Sequence, residues 1–163
     1  MIIRDFKPED AEECLHVRYE AIKTIFTGKI STEDVDSHLS AYKPPDLIRK
    51  SEEGKSFVAD DEGVVAGFCT ILKTAPAVAD LPFIYIKLDC LKQGIGSGLL
   101  DHMEEWISNN WLEVTRIEIE TVVPGYNRSF YERLGYQAAG PCEITVGDRN
   151  VPALKLIKEI ARS

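Results

Sequence analysis

No apolar run in the 163-residue chain is long enough to cross a bilayer. The first residues, Met1-Ile2-Ile3-Arg4-Asp5, lack the basic, apolar and small-residue regions of a secretory leader. The four cysteines (Cys14, Cys69, Cys90, Cys142) contain no CxxC pair, so neither a zinc site nor a dithiol redox motif is signalled. They read as reduced thiols of a cytoplasmic protein. No run of Lys or Arg occurs, and 19 basic residues stand against 27 acidic ones for a net charge of −8. That balance argues against a nucleic-acid backbone or an anionic membrane as partner. His16, His38 and His102 stand in no metal-ligand spacing, and no metal is expected. Repeats and low-complexity linkers are absent. Against these absences, 44% hydrophobic and 28% charged residues are ordinary globular usage, and one domain over residues 1–163 with one core is expected.

Hydrophobic spacing orders the chain. Met1–Asp5 is a short strand. Pro8 opens a helix with an acidic first turn, apolar at Ala11, Leu15, Tyr19, Ile22 and Phe26. Ser31 and Asp34 form the capping pattern of a second helix, which the pair Pro44-Pro45 ends; a short helix over Asp46–Glu53 follows. Lys55–Asp60 and Val64–Lys73 make a hairpin around Glu62-Gly63, and Thr74–Pro82 reads as a loop. Phe83–Leu88 is a strand, Ile95–Asn110 a helix, and Val114–Val123 a strand alternating Glu with Ile. Asn127–Leu134 is a short helix capped by Gly135, and Glu143–Val146 with Val151–Ile157 close the chain as a hairpin. A strand–helix–strand crossover demands a parallel pair. The expected class is therefore α/β (an α+β sandwich): a mixed, mostly antiparallel twisted sheet with a central parallel β-α-β crossover and helices on both faces.

The segment richest in chemistry is Leu91-Lys92-Gln93-Gly94-Ile95-Gly96-Ser97-Gly98-Leu99-Leu100, between a strand and a helix. Its glycines let main-chain N–H groups approach an anion closely, and the helix start adds unpaired donors and a positive dipole end. A pyrophosphate suits such a turn. The dinucleotide fingerprint fails because Leu99 stands where its third glycine belongs; no GK[ST] occurs, and Ser97 lies directly between glycines, so a nucleophile elbow is excluded.

These residues resemble the GNAT N-acetyltransferase superfamily. Leu91-Lys92-Gln93-Gly94-Ile95-Gly96 matches both glycines of its Arg/Gln-x-x-Gly-x-Gly/Ala signature, with Leu91 in place of Arg or Gln. Phe130-Tyr131-Glu132-Arg133-Leu134-Gly135-Tyr136 matches its Phe-Tyr-x-x-x-Gly-Phe/Tyr segment. The Asn that the family often carries seven residues before this tyrosine is Pro124 here, with Asn127 nearer.

The resemblance implies an acetyl-CoA-dependent N-acetyltransferase that transfers directly to a primary amine in a ternary complex. The acceptor is a small-molecule amine, a lysine or an N-terminus. The amides of Leu91, Lys92, Gln93, Gly94, Ile95, Gly96 and Ser97 would hold the pyrophosphate. Backbone at Ile86 and Leu88 would pair with the pantetheine arm, with an oxyanion donor near Leu88, and Asn127 joins the cofactor-binding set. Tyr131 would protonate the leaving thiolate, a nearly balanced transfer for an ordinary phenol. Glu118 and Glu120 share a strand face and are the general-base candidates. Lys92 and Arg128 are cations with two open readings, a contact to CoA phosphates or a solvated surface charge. The acceptor is expected between the first two helices (25–37) and the 147–150 hairpin, and the net charge favours a cationic one. Cys90 has no activating neighbour in sequence. A homodimer is left open. Two rival readings are a non-catalytic acyl-CoA-binding module of the same fold and a domain holding another phosphorylated ligand.

Overall fold

The computed structural model describes residues 1–123 and 126–160; Pro124 lies outside the described residues. The strands are β1 (Ile2–Asp5), β2 (Lys55–Asp61), β3 (Val64–Ala75), β4 (Val78–Ile86), β5 (Arg116–Val122), β6 (Gln137–Val146) and β7 (Arg149–Glu159). The helices are α1 (Ala11–Phe26), α2 (Thr32–Ser40), α3 (Pro44–Glu53), α4 (Ile95–Asn110) and α5 (Arg128–Arg133). The strands form one sheet in the order β1-β2-β3-β4-β5-β7-β6. Every neighbouring pair is antiparallel except β4 and β5, the parallel pair that the α4 crossover requires.

The helices sandwich the sheet. On one face α4 buries Ile95, Leu99, Leu100, Met103 and Ile107 against Phe57, Leu81, Ile117 and Ile119. On the other, α1 and α3 cover Val58, Val65 and Phe68, while α1 and α2 meet the β6–β7 hairpin through Phe26, Val35, Val146 and Val151. None of the described helices is long and apolar enough to cross a membrane.

The local reasons are visible. The Ser31 hydroxyl accepts the Asp34 N–H at 3.1 Å and starts α2. Pro44-Pro45 does not end that helix, which stops at Ser40. The pair occupies the opening positions of α3, where a missing N–H is harmless. A 3-10 turn, Pro8–Asp10, precedes α1, and the buried side of α1 is Ala11, Cys14, Val17, Arg18, Ile22 and Phe26. Leu15 and Tyr19 are half-buried beside it; the Tyr19 hydroxyl donates to Asp36 at 2.9 Å.

The expected loop at Thr74–Pro82 is instead the tip of a long hairpin. β3 runs to Ala75 and β4 begins at Val78. Proline is tolerated inside β4 because Pro82 sits at a β-bulge, between the Thr70–Phe83 and Leu72–Asp80 pairs. The bulge also inverts the alternation. Ala79 and Leu81 face the α4 core, yet beyond Pro82 it is Phe83 and Tyr85 that turn to the α1 face. At the other end β4 stops at Ile86, so Leu88 falls in a 3-10 turn (Leu88–Cys90) rather than in the strand.

The β4–β5 ladder covers only Val78–Asp80 against Arg116–Glu118. Past that point β5 stays with β7 as far as Val122, and β4 stays with β3 as far as Ile86. The sheet thus splays into two halves, and the bulge lies at the fork.

Candidate active site

A cleft of about 910 Å³ occupies the splay. Its walls are the start of α4, the far half of β4, the end of β5, α5 and the facing side of α1.

At one end the chain leaves the Leu88–Cys90 turn and enters α4 through two left-handed residues, Lys92 (φ 65°) and Gly94 (φ 81°). Glycine relieves the second of these. Alternating hand aims successive N–H groups to one side, the geometry of an anion nest. The first helical bond runs from the Gly98 N–H to the Gly94 carbonyl at 3.0 Å, which leaves the N–H groups of Ile95, Gly96 and Ser97 ahead of the ladder. The space beside the Gly94 Cα is open, with nothing within 4 Å of where a Cβ would stand. At Gly96 a Cβ would lie 3.0 Å from the Phe130 ring. The two sequence motifs therefore touch. The second glycine is small because the aromatic of the downstream motif lies on it.

Side chains around the turn are secondary. Ile95 is buried in the α4 core and offers only its amide, and Leu91 is 51% exposed. The Gln93 amide reaches the Asp89 carbonyl at 3.5 Å, bracing the turn from inside. Asp89 points outward and pairs with Lys87 at 3.7 Å. Lys92 lines the cleft, whereas Arg128 is tied to Glu132 at 2.6 Å.

In the middle, Asn127 caps α5 by accepting the Phe130 N–H at 3.1 Å, so its side chain serves the helix as well as the cleft wall. That cap orients Tyr131, which is 8% exposed and packed on Tyr126, Phe130 and Tyr136. Among the described residues its hydroxyl has no hydrogen-bond partner. Burial, with Tyr85 and Tyr126 adding to it, pushes this phenol up to about 12. It holds its proton firmly, and donation to an ordinary thiolate near ~8.5 is uphill rather than balanced. A thiolate formed in the same dry pocket would rise too and narrow the gap. Beyond Asp80 the cleft-side edge of β4 has no strand partner among the described residues, leaving backbone through Ile86 open to pairing.

The two strand carboxylates separate. Glu120 lines the cleft, while Glu118 lies 3.7 Å from Arg116 and 3.8 Å from Lys155. Cys90 borders the cleft with its thiol pushed up by burial and by Asp89, which disfavours a nucleophile. The 147–150 hairpin tip docks on α2, where Arg149 meets Asp34 at 3.5 Å.

The far end holds what the sequence reading missed. Arg18 is 7% exposed on the cleft face of α1. Its guanidinium carbon lies 5.2 Å from the ring centres of both Tyr42 and Phe83, beside the Tyr85 hydroxyl. His38 stands close by, held below its ordinary pKa by burial and by that cation. The signal was an arginine spaced four residues from both Cys14 and Ile22 on a core-facing helix.

A mixed sheet splayed after its parallel pair, with a glycine turn opening the crossover helix, defines an acyltransferase-type fold. The model of the acetyltransferase (GNAT) family matches residues 18–136, and the chain belongs to that family. Among solved structures it is similar to the PaiA N-acetyltransferase of Thermoplasma acidophilum in complex with coenzyme A. The TM-score is 0.80 and the identity 20%, over 97% of this chain and 98% of that one. It is also similar to the ribosomal-protein-S18-alanine N-acetyltransferase of Escherichia coli (TM-score 0.74, identity 17%, 99% and 95% covered). A third is an aminoglycoside 6'-N-acetyltransferase complexed with coenzyme A (0.72, 16%, 100% and 99%). Likeness at this identity establishes the fold alone. No curated protein matches the chain in sequence.

Proposed function

We propose that the chain is an acetyl-CoA-dependent N-acetyltransferase acting on a primary amine by direct transfer in a ternary complex. One observation carries the reading: the unpaired amides ahead of α4 and the buried Tyr131 hydroxyl open into the same cleft, at the fork of the sheet. The open side of Gly94 and the free amides of Ile95, Gly96 and Ser97 fit a pyrophosphate. The unpaired edge of β4 fits an amide-bearing arm laid as an extra strand, with Ile86 the last strand residue available and Leu88 just beyond. Acetyl-CoA would supply the activated acetyl group as a thioester.

The residues divide the proton work. Glu120 accepts a proton from the incoming ammonium, directly or through water, so that nitrogen can form its bond to carbon. As the carbon–sulfur bond breaks, Tyr131 gives its hydroxyl proton to the departing sulfur, and it is reprotonated, through water, by the second proton that the nitrogen sheds on becoming an amide. Glu118, paired with two cations, is the weaker candidate for the base. The similar structures are titled for acceptors as different as a ribosomal-protein alanine and an aminoglycoside, so the fold leaves the acceptor class open.

Two measurements test the reading. Melting curves with CoA, acetyl-CoA, NAD and ATP should rise with the first two only. A ligand at a hundred times its Kd stabilises by about 2.7 kcal/mol. A thiol-release screen over amines, peptides and polyamines should then find turnover. Binding of acetyl-CoA with no CoA release from any acceptor would identify a non-catalytic acyl-CoA module instead.

A further inference from the structure

Among the described residues that line the cleft, three carry positive charge (Arg18, Lys92, Arg133) and one carries negative (Glu120). A chain with net charge −8 thus lines its cleft with a net positive set. Lys92 belongs to the turn ahead of α4 and Arg133 is exposed, which leaves Arg18 as the buried cation.

Its surroundings are unusual. A buried guanidinium normally meets a carboxylate, because a desolvated, unpaired charge costs several kcal/mol. Arg18 makes no ion pair among the described residues, and its Nε has no hydrogen-bond partner. Tyr42 and Phe83 hold it by their ring faces and the Tyr85 hydroxyl takes one of its hydrogen bonds, which leaves the Nε unspent. The Tyr85 hydroxyl beside it is the neighbour that Tyr131 also feels, so the guanidinium and the candidate proton donor flank one tyrosine. The acceptor side of the cleft is otherwise apolar, with Ile22, Ile25, Phe26, Val122 and Val146. Glu120 faces the same space.

We infer that Arg18 is the anchor for an anionic group on the acceptor, and that the acceptor is an amine bearing a carboxylate on an apolar body, an amino-acid-type molecule. The inference rests on the acetyltransferase reading and refines it. The carboxylate meets the guanidinium, and the ammonium turns to Glu120. It replaces the expectation of a purely cationic acceptor, because the acidic surplus of the chain lies outside the cleft.

The test separates binding from turnover. CoA-saturated protein is titrated calorimetrically with N-acetyl-L-phenylalanine and with N-phenethylacetamide, which differ by the carboxylate. The wild type should bind the first at least roughly tenfold more tightly, the range expected of a charge-assisted pair. Arg18→Met should erase that difference while leaving the CoA affinity unchanged. Methionine keeps the length of the side chain and breaks no ion pair, but it gives up two ring-face contacts and the Tyr85 hydrogen bond, so the variant should stay folded, checked by a single cooperative melt and the unchanged CoA affinity. Arg18→Lys, which keeps the charge without the planar fork, should fall between them. In the kinetic arm, L-phenylalanine should exceed phenethylamine in kcat/KM by roughly 10- to 100-fold, and Arg18→Met should bring the two together. Equal binding of the two amides by wild type, binding of neither, or an equal loss for both in Arg18→Met would overturn the inference. Carboxylate-selective binding without CoA release from either amine would retain Arg18 as an anion anchor and reject the enzyme reading instead.

Discussion

The two ends of the cleft solve different recognition problems with different parts. At the α4 end the groups exposed to the cleft are main-chain amides from one short run, Ile95–Ser97, shaped by left-handed residues and a helix start; on the proposed function they hold the acyl donor. At the α1 end they are side chains: Arg18 from the first long helix, His38 from the second, Glu120 from β5 and Val146 from β6. Amides present the same donor whatever the side chain, so on the proposed function the first end should tolerate Leu91 in place of the Arg or Gln of the resembled signature. Side-chain recognition carries no such tolerance, and one substitution at the second end can change the acceptor. On the proposed function, this division lets the acyl-donor end stay constant while the acceptor end varies.

Between the ends lies Tyr131, and its loss should have the largest effect. Tyr131→Phe should lower kcat by roughly 100-fold or more while the acetyl-CoA Kd stays within about twofold of wild type, read by thiol release and calorimetry. Because the phenol is pushed up to about 12, the wild-type rate should show no donor-linked fall up to roughly pH 10. A falling limb at the ordinary tyrosine value would remove Tyr131 from the role. Gly94→Ala sharpens the contrast at the amide end. The space there is open, so the penalty is purely one of backbone, φ being 81°. A loss of about 1 kcal/mol in stability is expected, with acetyl-CoA binding weakened near tenfold and discrimination among amines unaltered. If acceptor preference changed instead, the two ends would not be separable.

The smallest effect concerns the fork itself. Asp80 closes the β4–β5 ladder opposite Glu118, and burial, then Glu120 and Glu118, raise its pKa above 3.8. A raised carboxyl favours the folded state in its protonated form, and that contribution disappears as pH climbs through the raised value. Asp80→Asn should therefore gain under about 1 kcal/mol near neutral pH in urea melts, and the gain should vanish in acid, where the wild-type carboxyl is neutral as well. A variant less stable at neutral pH would mean that the carboxylate is held by contacts that outweigh its burial.

Much of this was legible along the chain. Ser31 capped α2, Gly135 followed α5, α4 spans Ile95–Asn110 as its periodicity demanded, and the glycine turn stood where an anion nest belongs. Errors gathered at proline. Pro44-Pro45 reads as a helix stop and is a start, since the same missing N–H is harmless in the first turn of a helix. Pro82 was taken to break a strand and instead marks its bulge, because the neighbouring strand has already turned away. Whether a proline needs its N–H depends on what lies beside it, which no local pattern states.

The order of residues along the chain was enough for most of the elements, the parallel crossover and the glycine turn ahead of α4, since each depends on residues a few positions apart. Packing in three dimensions settles that β4 and β5 part after Asp80, that Phe130 rests on Gly96, and that Arg18 sits buried among aromatic rings with its Nε unpartnered among the described residues. Those facts depend on groups 24 to 65 positions apart, from Arg18 with Tyr42 to Arg18 with Phe83, brought together by packing. The hydrophobic pattern shows which residues must be inside; it does not say which of them will meet.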